Sequence, residues 1–162
     1  MNIGGIEVGH DCPPFIVADI SANHLGDLYR AMQLIDSARE ARADAVKIQI
    51  YDPDRMAIRR GGSIDAICTE APWVGRKFLD LYREAYMPRE WVDQLFVHYS
   101  GLFASVFDEQ DVDFLEQFIR PPAYKIASRE ADDIDLVASA AKTGKPLIIS
   151  TGTATDDQLG RS

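Results

Sequence analysis

The sequence predicts an α/β fold: an incomplete (β/α)8 TIM barrel holding about the first five βα units. Three observations point there. Short apolar runs alternate with amphipathic stretches at roughly 30-residue spacing along the whole chain, as parallel strands joined by crossover helices do. Lys47 and Lys125 stand inside two of those runs, where parallel strands normally read as near-continuous apolar segments. An unpaired lysine in a sheet covered by helices is costly, whereas one pointing into a barrel mouth can meet a ligand. Finally, 162 residues hold five such units, against about 250 for a closed barrel. An open doubly wound sheet of five strands is the competing architecture.

The elements follow in order. Phe15–Ala22 is a short apolar run after Pro13-Pro14, hence the first strand. Asp27 opens a helix with Leu28, Met32, Ile35 and Ala38 at helical spacing. Ala45–Ile50 is the second strand. Residues 51–75, with Pro53, Gly61-Gly62 and Pro72, read as an insertion too irregular for one regular element. Pro88 starts a helix through Trp91, Leu95 and His98. Phe103–Phe107 is strand three, and Asp108 caps a helix carrying Val112, Leu115 and Phe118. Ala123–Ser128 is strand four. A helix with Ile134, Val137 and Ala141 stops at Gly144 and Pro146, before strand five, Leu147–Thr151. Thr155-Asp-Asp-Gln158 has the form of a capping box opening a further helix.

Composition narrows the function. The chain is 46% hydrophobic and 27% charged, which excludes wholesale disorder. A net charge of -9 argues against a nucleic-acid partner and requires any anionic ligand to be gripped by local cations. No apolar run is long enough for a membrane span, and the start shows neither a basic nor an apolar leader segment. Cys12 and Cys68 are too few for a disulfide framework. A cytoplasmic location is the expectation.

In parallel sheets the working groups gather at the C-terminal ends of the strands. Those ends offer Asp19, Ser21, Asn23 and His24 after the first strand, and Lys47 and Gln49 in the second. Ser105 and Asp108 end the third strand, Lys125, Ser128 and Glu130 the fourth, Ser150 and Thr151 the fifth. Two lysines among strand-end serines make a cradle for a phosphate plus a carboxylate, the lysines supplying charge and the serines neutral donors. The bland readings are a helix cap for Asp108, a turn cap for His24, packing for Trp73 and Trp91, and a helix start for the acidic Glu130–Asp135.

Ala18-Asp-Ile-Ser-Ala-Asn-His24, Ala43-Asp-Ala-Val-Lys-Ile-Gln49, Tyr124-Lys-Ile-Ala-Ser128 and Thr143-Gly-Lys-Pro-Leu-Ile-Ile-Ser-Thr-Gly152 resemble the sialic acid synthase family, in order and with the family's spacing. Ser21–His24, Tyr51-Asp-Pro-Asp54 and Leu81–Trp91 resemble its pseudaminic acid branch more than its N-acetylneuraminate branch. The resemblance implies an enzyme, a C–C bond-forming transferase that condenses phosphoenolpyruvate with an N-acetylated amino sugar into a nine-carbon sugar acid. It implies phosphoenolpyruvate binding by Lys47, Ser105, Lys125, Ser128 and Ser150. Catalytic roles fall on Asp19, where the family usually has glutamate, and on Asn23 and His24. Val106 and Thr153 replace the family's common proline and methionine.

In the family a divalent metal, Mn²⁺ or Mg²⁺, polarises the sugar aldehyde; carbon 3 of phosphoenolpyruvate attacks it, water adds at carbon 2, and phosphate leaves with C–O cleavage. The resemblance assigns that metal to histidines of later barrel strands, so the expectation is no metal ligand in this chain. His10 and His98 do not replace them: the first precedes the first strand and the second rides an outer helix. The expected domain is a partial TIM-barrel synthase domain over residues 1–162, with the remaining strands and the antifreeze-like C-terminal domain outside it. The full-length family implies a homodimer. The 162-residue chain alone is then expected to be inactive. The alternatives are a non-catalytic anion-binding half-barrel that needs a partner chain, or another phosphoenolpyruvate aldol-type sugar-acid synthase.

Overall fold

A computed structural model describes residues 1–152, Thr155 and Gly160. The helix start expected at Thr155-Asp-Asp-Gln158 falls, past Thr155, outside the described residues, as does Thr153. An N-terminal hairpin, β1 (Asn2–Ile3) and β2 (Ile6–Glu7), precedes the first of the expected strands. Then follow β3 (Val17–Asp19), α1 (Leu28–Glu40), β4 (Ala45–Ile50), α2 (Pro53–Gly61), α3 (Phe78–Ala85), α4 (Arg89–His98) and β5 (Leu102–Val106). The described elements close with α5 (Glu109–Phe118), β6 (Tyr124–Ile126), α6 (Ile134–Lys142) and β7 (Leu147–Ile149).

Strands β3 to β7 form one parallel sheet in sequential order, β3-β4-β5-β6-β7. That order decides between the two architectures. A doubly wound sheet reverses direction at a switch point; a sequence of same-handed crossovers without reversal lays every helix on one face and curls the sheet toward a barrel. The chain therefore forms a curled barrel segment, with β3 and β7 as its edges.

Strand alternation sorts the side chains. Val46, Ile48 and Ile50, with Leu102, Ala104 and Val106, Tyr124 and Ile126, face outward and are buried under the helices. They meet Ala31 and Ile35 of α1, Val92 and Leu95 of α4, Val112 and Leu115 of α5, and Leu136, Val137 and Ala140 of α6. Inward, Val17, Ala45, Phe103, Ala123 and Ile148 make an apolar layer at the lower end of the segment, covered by Ile3 and Val8 of the hairpin region. The next inward positions up the strands are Asp19, Lys47, Ser105, Lys125 and Ser150. The sheet is dry at one end and polar at the other.

Several expectations need correction. The first strand ends at Asp19 rather than Ala22, because Ser21 takes a left-handed conformation (φ 45°) and its N–H donates to the Asp19 carboxylate at 3.1 Å. The third strand stops at Val106, because the Phe107 N–H turns to the Asp111 carboxylate instead of a neighbouring strand. The fourth and fifth strands end at Ile126 and Ile149, before Ser128 and Thr151. In α5 and α6 the expected faces shift: Phe118 and Ile134 are 61% and 45% exposed, and α6 buries Leu136 and Ala140 around Val137 instead of Ala141. Trp73 is half exposed and Trp91 packs against the core, so only Trp91 is a packing residue.

The 51–75 segment holds a regular helix. Asp52 accepts from the N–H groups of Asp54 and Arg55, Pro53 sits in the first turn, and Gly62 closes the helix in a left-handed conformation (φ 75°). Gly61 is needed for close approach: a Cβ there would lie 2.2 Å from that of Ala66. Helices α2 and α3 pack on each other above the C-terminal end of β4, and α4 makes the crossover to β5.

Candidate active site

The strand register builds the site. Asp19 pairs with Lys47 across β3 and β4, Gln49 with Ser105 across β4 and β5, and Ser105 with Lys125 across β5 and β6. Lys47 is long enough to reach up one layer. Its Nζ donates to Asp19 Oδ2 at 2.7 Å and to Ser105 Oγ at 3.3 Å. One layer higher, Gln49 Nε2 donates to Ser21 Oγ at 3.3 Å. Lys125 Nζ donates to the Ile126 carbonyl at 3.0 Å. Burial and the neighbouring Lys47 ammonium push the Lys125 amine below its usual range, while Asp19 and Glu130 pull it back. Lys125 is the register partner of Ser105, whose hydroxyl accepts from Lys47.

Three of the expected residues, Asp19, Lys47 and Ser105, are thus directly connected, and Lys125 adjoins them through the register and the field. Ser128 is half-buried in the turn after β6, where the Glu130 N–H donates to the Ala127 carbonyl. Ser150 is half-buried just past β7, its N–H donating to the Ile126 carbonyl. Asn23 is exposed, and its carbonyl accepts from Arg30 Nε at 2.7 Å.

His24 sits in the turn after β3. It is 1% exposed, its Nδ1 accepts from the Gly26 N–H at 3.1 Å, and its ring meets Trp91 edge-on with centroids 5.6 Å apart. Nδ1 is therefore the unprotonated nitrogen and Nε2 carries the proton, without a hydrogen-bond partner among the described residues. Burial lowers its pKa, favouring the neutral ring. Here His24 shapes the turn and packs against α4. His98 bonds Asp36 at 2.9 Å on the outer layer, and His10 is fully exposed ahead of β3.

Sequence reasoning missed two arginines, Arg55 and Arg59 on α2. Arg55 pairs with Asp108 and lies 3.5 Å from Asp111; Arg59 pairs with Asp133. The signal that could have found their helix is the Asp52-Pro53 start with the Gly61-Gly62 stop. Asp108 is the α5 cap, as expected, in a reciprocal box with Asp111.

For a divalent metal the donor set is poor. Among the described residues no group of three or more His, Cys, Asp or Glu side chains is arranged to hold a metal ion, and the Asp19 carboxylate is already engaged by Lys47. The residues present do not fit a metal site by themselves.

The site can therefore hold an anion: two ammonium groups, a hydroxyl between them and one carboxylate on the rim. A curated pseudaminic acid synthase from Campylobacter jejuni is 43% identical over 98% of the chain, and one from Helicobacter pylori 39% over 91%. The human N-acetylneuraminate-9-phosphate synthase is 30% identical over 94%. The chain spans about half the length of these relatives: 46%, 44% and 43%, respectively. Among solved structures, the N-acetylneuraminic acid synthetase of Leptospira borgpetersenii, in complex with citrate, superposes with a TM-score of 0.81 at 29% identity, covering 99% of this chain and 52% of that one. The spore coat polysaccharide biosynthesis protein SpsE of Bacillus subtilis gives 0.76 at 32% identity over 99% of this chain and 42% of that one. With the NeuB family model matching residues 34–162 in addition, the chain belongs to the NeuB family.

Proposed function

We propose that this chain supplies the phosphoenolpyruvate-binding part of a synthase that condenses phosphoenolpyruvate with an N-acetylated amino sugar. The product is a nine-carbon sugar acid, of pseudaminic rather than neuraminic type, since the curated relatives of highest identity reported above are pseudaminic acid synthases. The observation that carries this reading is the inward Lys47–Asp19–Ser105 cluster beside Lys125. A carboxylate and a phosphate on one small molecule need two cations held apart by neutral donors, and the register supplies that spacing.

In the reaction, Lys47 and Lys125 hold the enol phosphate, with Ser105, Ser128 and Ser150 as donors to its oxygens. Carbon 3 forms the new bond to the aldehyde carbon of the sugar, whose oxygen takes up a proton. Water then adds at carbon 2 and phosphate departs with its bridging oxygen. Asp19, whose carboxylate is half exposed at the rim, orients Lys47 and accepts a proton from the adding water. A divalent ion, when bound, would supply polarisation of the aldehyde. The reading implies cytoplasmic work; among the described residues no helix is long and apolar enough to cross a membrane.

The test is direct binding. Phosphoenolpyruvate titrated calorimetrically into the chain is expected to bind. Lys47→Met and Lys125→Met are each expected to weaken it by about tenfold or more, or about 1.4 kcal/mol per decade. Unchanged affinity in both variants overturns the assignment.

A further inference from the structure

We infer that Arg55 and Arg59 are positioning residues, a clasp from α2 that holds the loop following the strand of Ser105 and the loop carrying Ser128. The inference rests on the anion reading above. The two arginines are one helical turn apart, so they project from one face of α2. Each reaches the N-cap carboxylate of a different barrel helix. Arg55 Nε donates to Asp108 Oδ2 at 2.5 Å, and its Nη2 donates to Oδ1 at 3.4 Å. Arg59 Nη1 donates to Asp133 Oδ2.

Both carboxylates serve two masters. Asp108 Oδ1 also accepts from the Asp111 N–H at 3.0 Å, and Asp133 Oδ1 from the Leu136 N–H at 3.1 Å. The starts of α5 and α6 are thereby tied to one another through a helix that belongs to neither βα unit. Ser105 lies three residues before Asp108, and Ser128 five before Asp133, so the clasp closes over the segments that present the cradle's hydroxyls.

These pairs are not ordinary surface contacts. The side chains of Asp108 and Asp133 are 10% and 23% exposed, those of Arg55 and Arg59 32% and 34%. Salt screens such pairs less than open ones, and the guanidinium fork fixes direction as well as charge. Small displacements of binding groups are expensive at a site of this kind, about 100-fold for an ångström in unfavourable cases. Neither arginine is among the residues assigned to touch the substrate.

The experiment compares the chain with its Arg55→Met/Arg59→Met and Arg55→Lys/Arg59→Lys variants by amide hydrogen exchange and by calorimetric titration with phosphoenolpyruvate. The methionine pair is expected to exchange faster across 107–108 and 128–133 while β4 and β5 keep their protection. Its affinity should fall roughly tenfold, and the lysine pair should recover part of both. Unchanged exchange in the two loops overturns the clasp, as do loosened loops with wild-type affinity. If the wild-type chain binds no phosphoenolpyruvate, the functional reading falls and exchange alone judges the clasp. Should the methionine pair not fold, Arg59→Met alone must loosen 128–133 and spare 107–108; any other pattern overturns the proposal.

Discussion

Lys47 is 13% exposed in its side chain, and a cation so buried needs a standing partner. Asp19 is that partner, and the same carboxylate also caps the turn at Ser21. Asp19→Asn removes the charge but keeps the shape. Phosphoenolpyruvate should then bind the chain at least as tightly, since the anion no longer competes with a carboxylate for Lys47. Turnover by the complete enzyme should fall about 100-fold or more, while Asp19→Glu retains it; weaker binding in Asp19→Asn would show the carboxylate to be structural. At His24, nitrogen NMR should find the Nε2–H tautomer and a titration below the ordinary 6.5, because burial penalises the charged ring. A midpoint at or above 6.5 would contradict the burial.

At the scale of the element, α5 is the most constrained. Asp111 is wholly buried, and its carboxylate takes N–H donors from Phe107 and Asp108 and a guanidinium from Arg89 at 2.7 Å. Burial, and then Asp108, push its pKa from 3.8 to about 6 against the Phe107 N–H and Arg89. The folded chain therefore holds this proton more tightly than the unfolded chain. Its contribution to stability is full below pH 3.8 and is lost as pH rises through about 6. Subtracting the denaturation profile of Asp111→Asn from that of the wild type should expose this falling limb; a difference independent of pH between 4 and 7 would contradict it. The α2 helix shows a different kind of legibility. Its cap, its first-turn proline and its terminal glycines are all present in the sequence, but Pro and Gly also mark irregular segments, and only the structure shows them as the two ends of one helix.

For the whole molecule, the sequential strand order leaves β3 and β7 each with one neighbour in the sheet. Open parallel edges invite pairing with other chains. Light scattering of the purified chain should return a mass above 18.0 kDa; a monodisperse monomer would show those edges to be protected. At the lower end the hairpin closes the apolar layer, with Ile3 3% exposed against Phe103 and Ala123. Ile3→Ala should cost roughly 2 kcal/mol or more in chemical denaturation. A negligible cost would mean that the hairpin is not part of the core.

Alternation of short apolar runs with helical faces was sufficient to name the fold class, because each crossover helix must bury a stripe and each strand must bury a face. The same local physics located Lys47 and Lys125 as misfits in apolar strands, and Asp27 and Asp108 as helix caps. What the sequence could not state is who meets whom. Lys47 finds Asp19 28 residues away and Ser105 58 away, and Arg59 finds Asp133 74 away. These partnerships depend on register and on strand order. Periodicity reports only which face a residue occupies, and a face does not reveal its neighbour. His24 makes the same point: its place in a strand-end motif was legible, whereas its contact with Trp91 of α4 depends on packing.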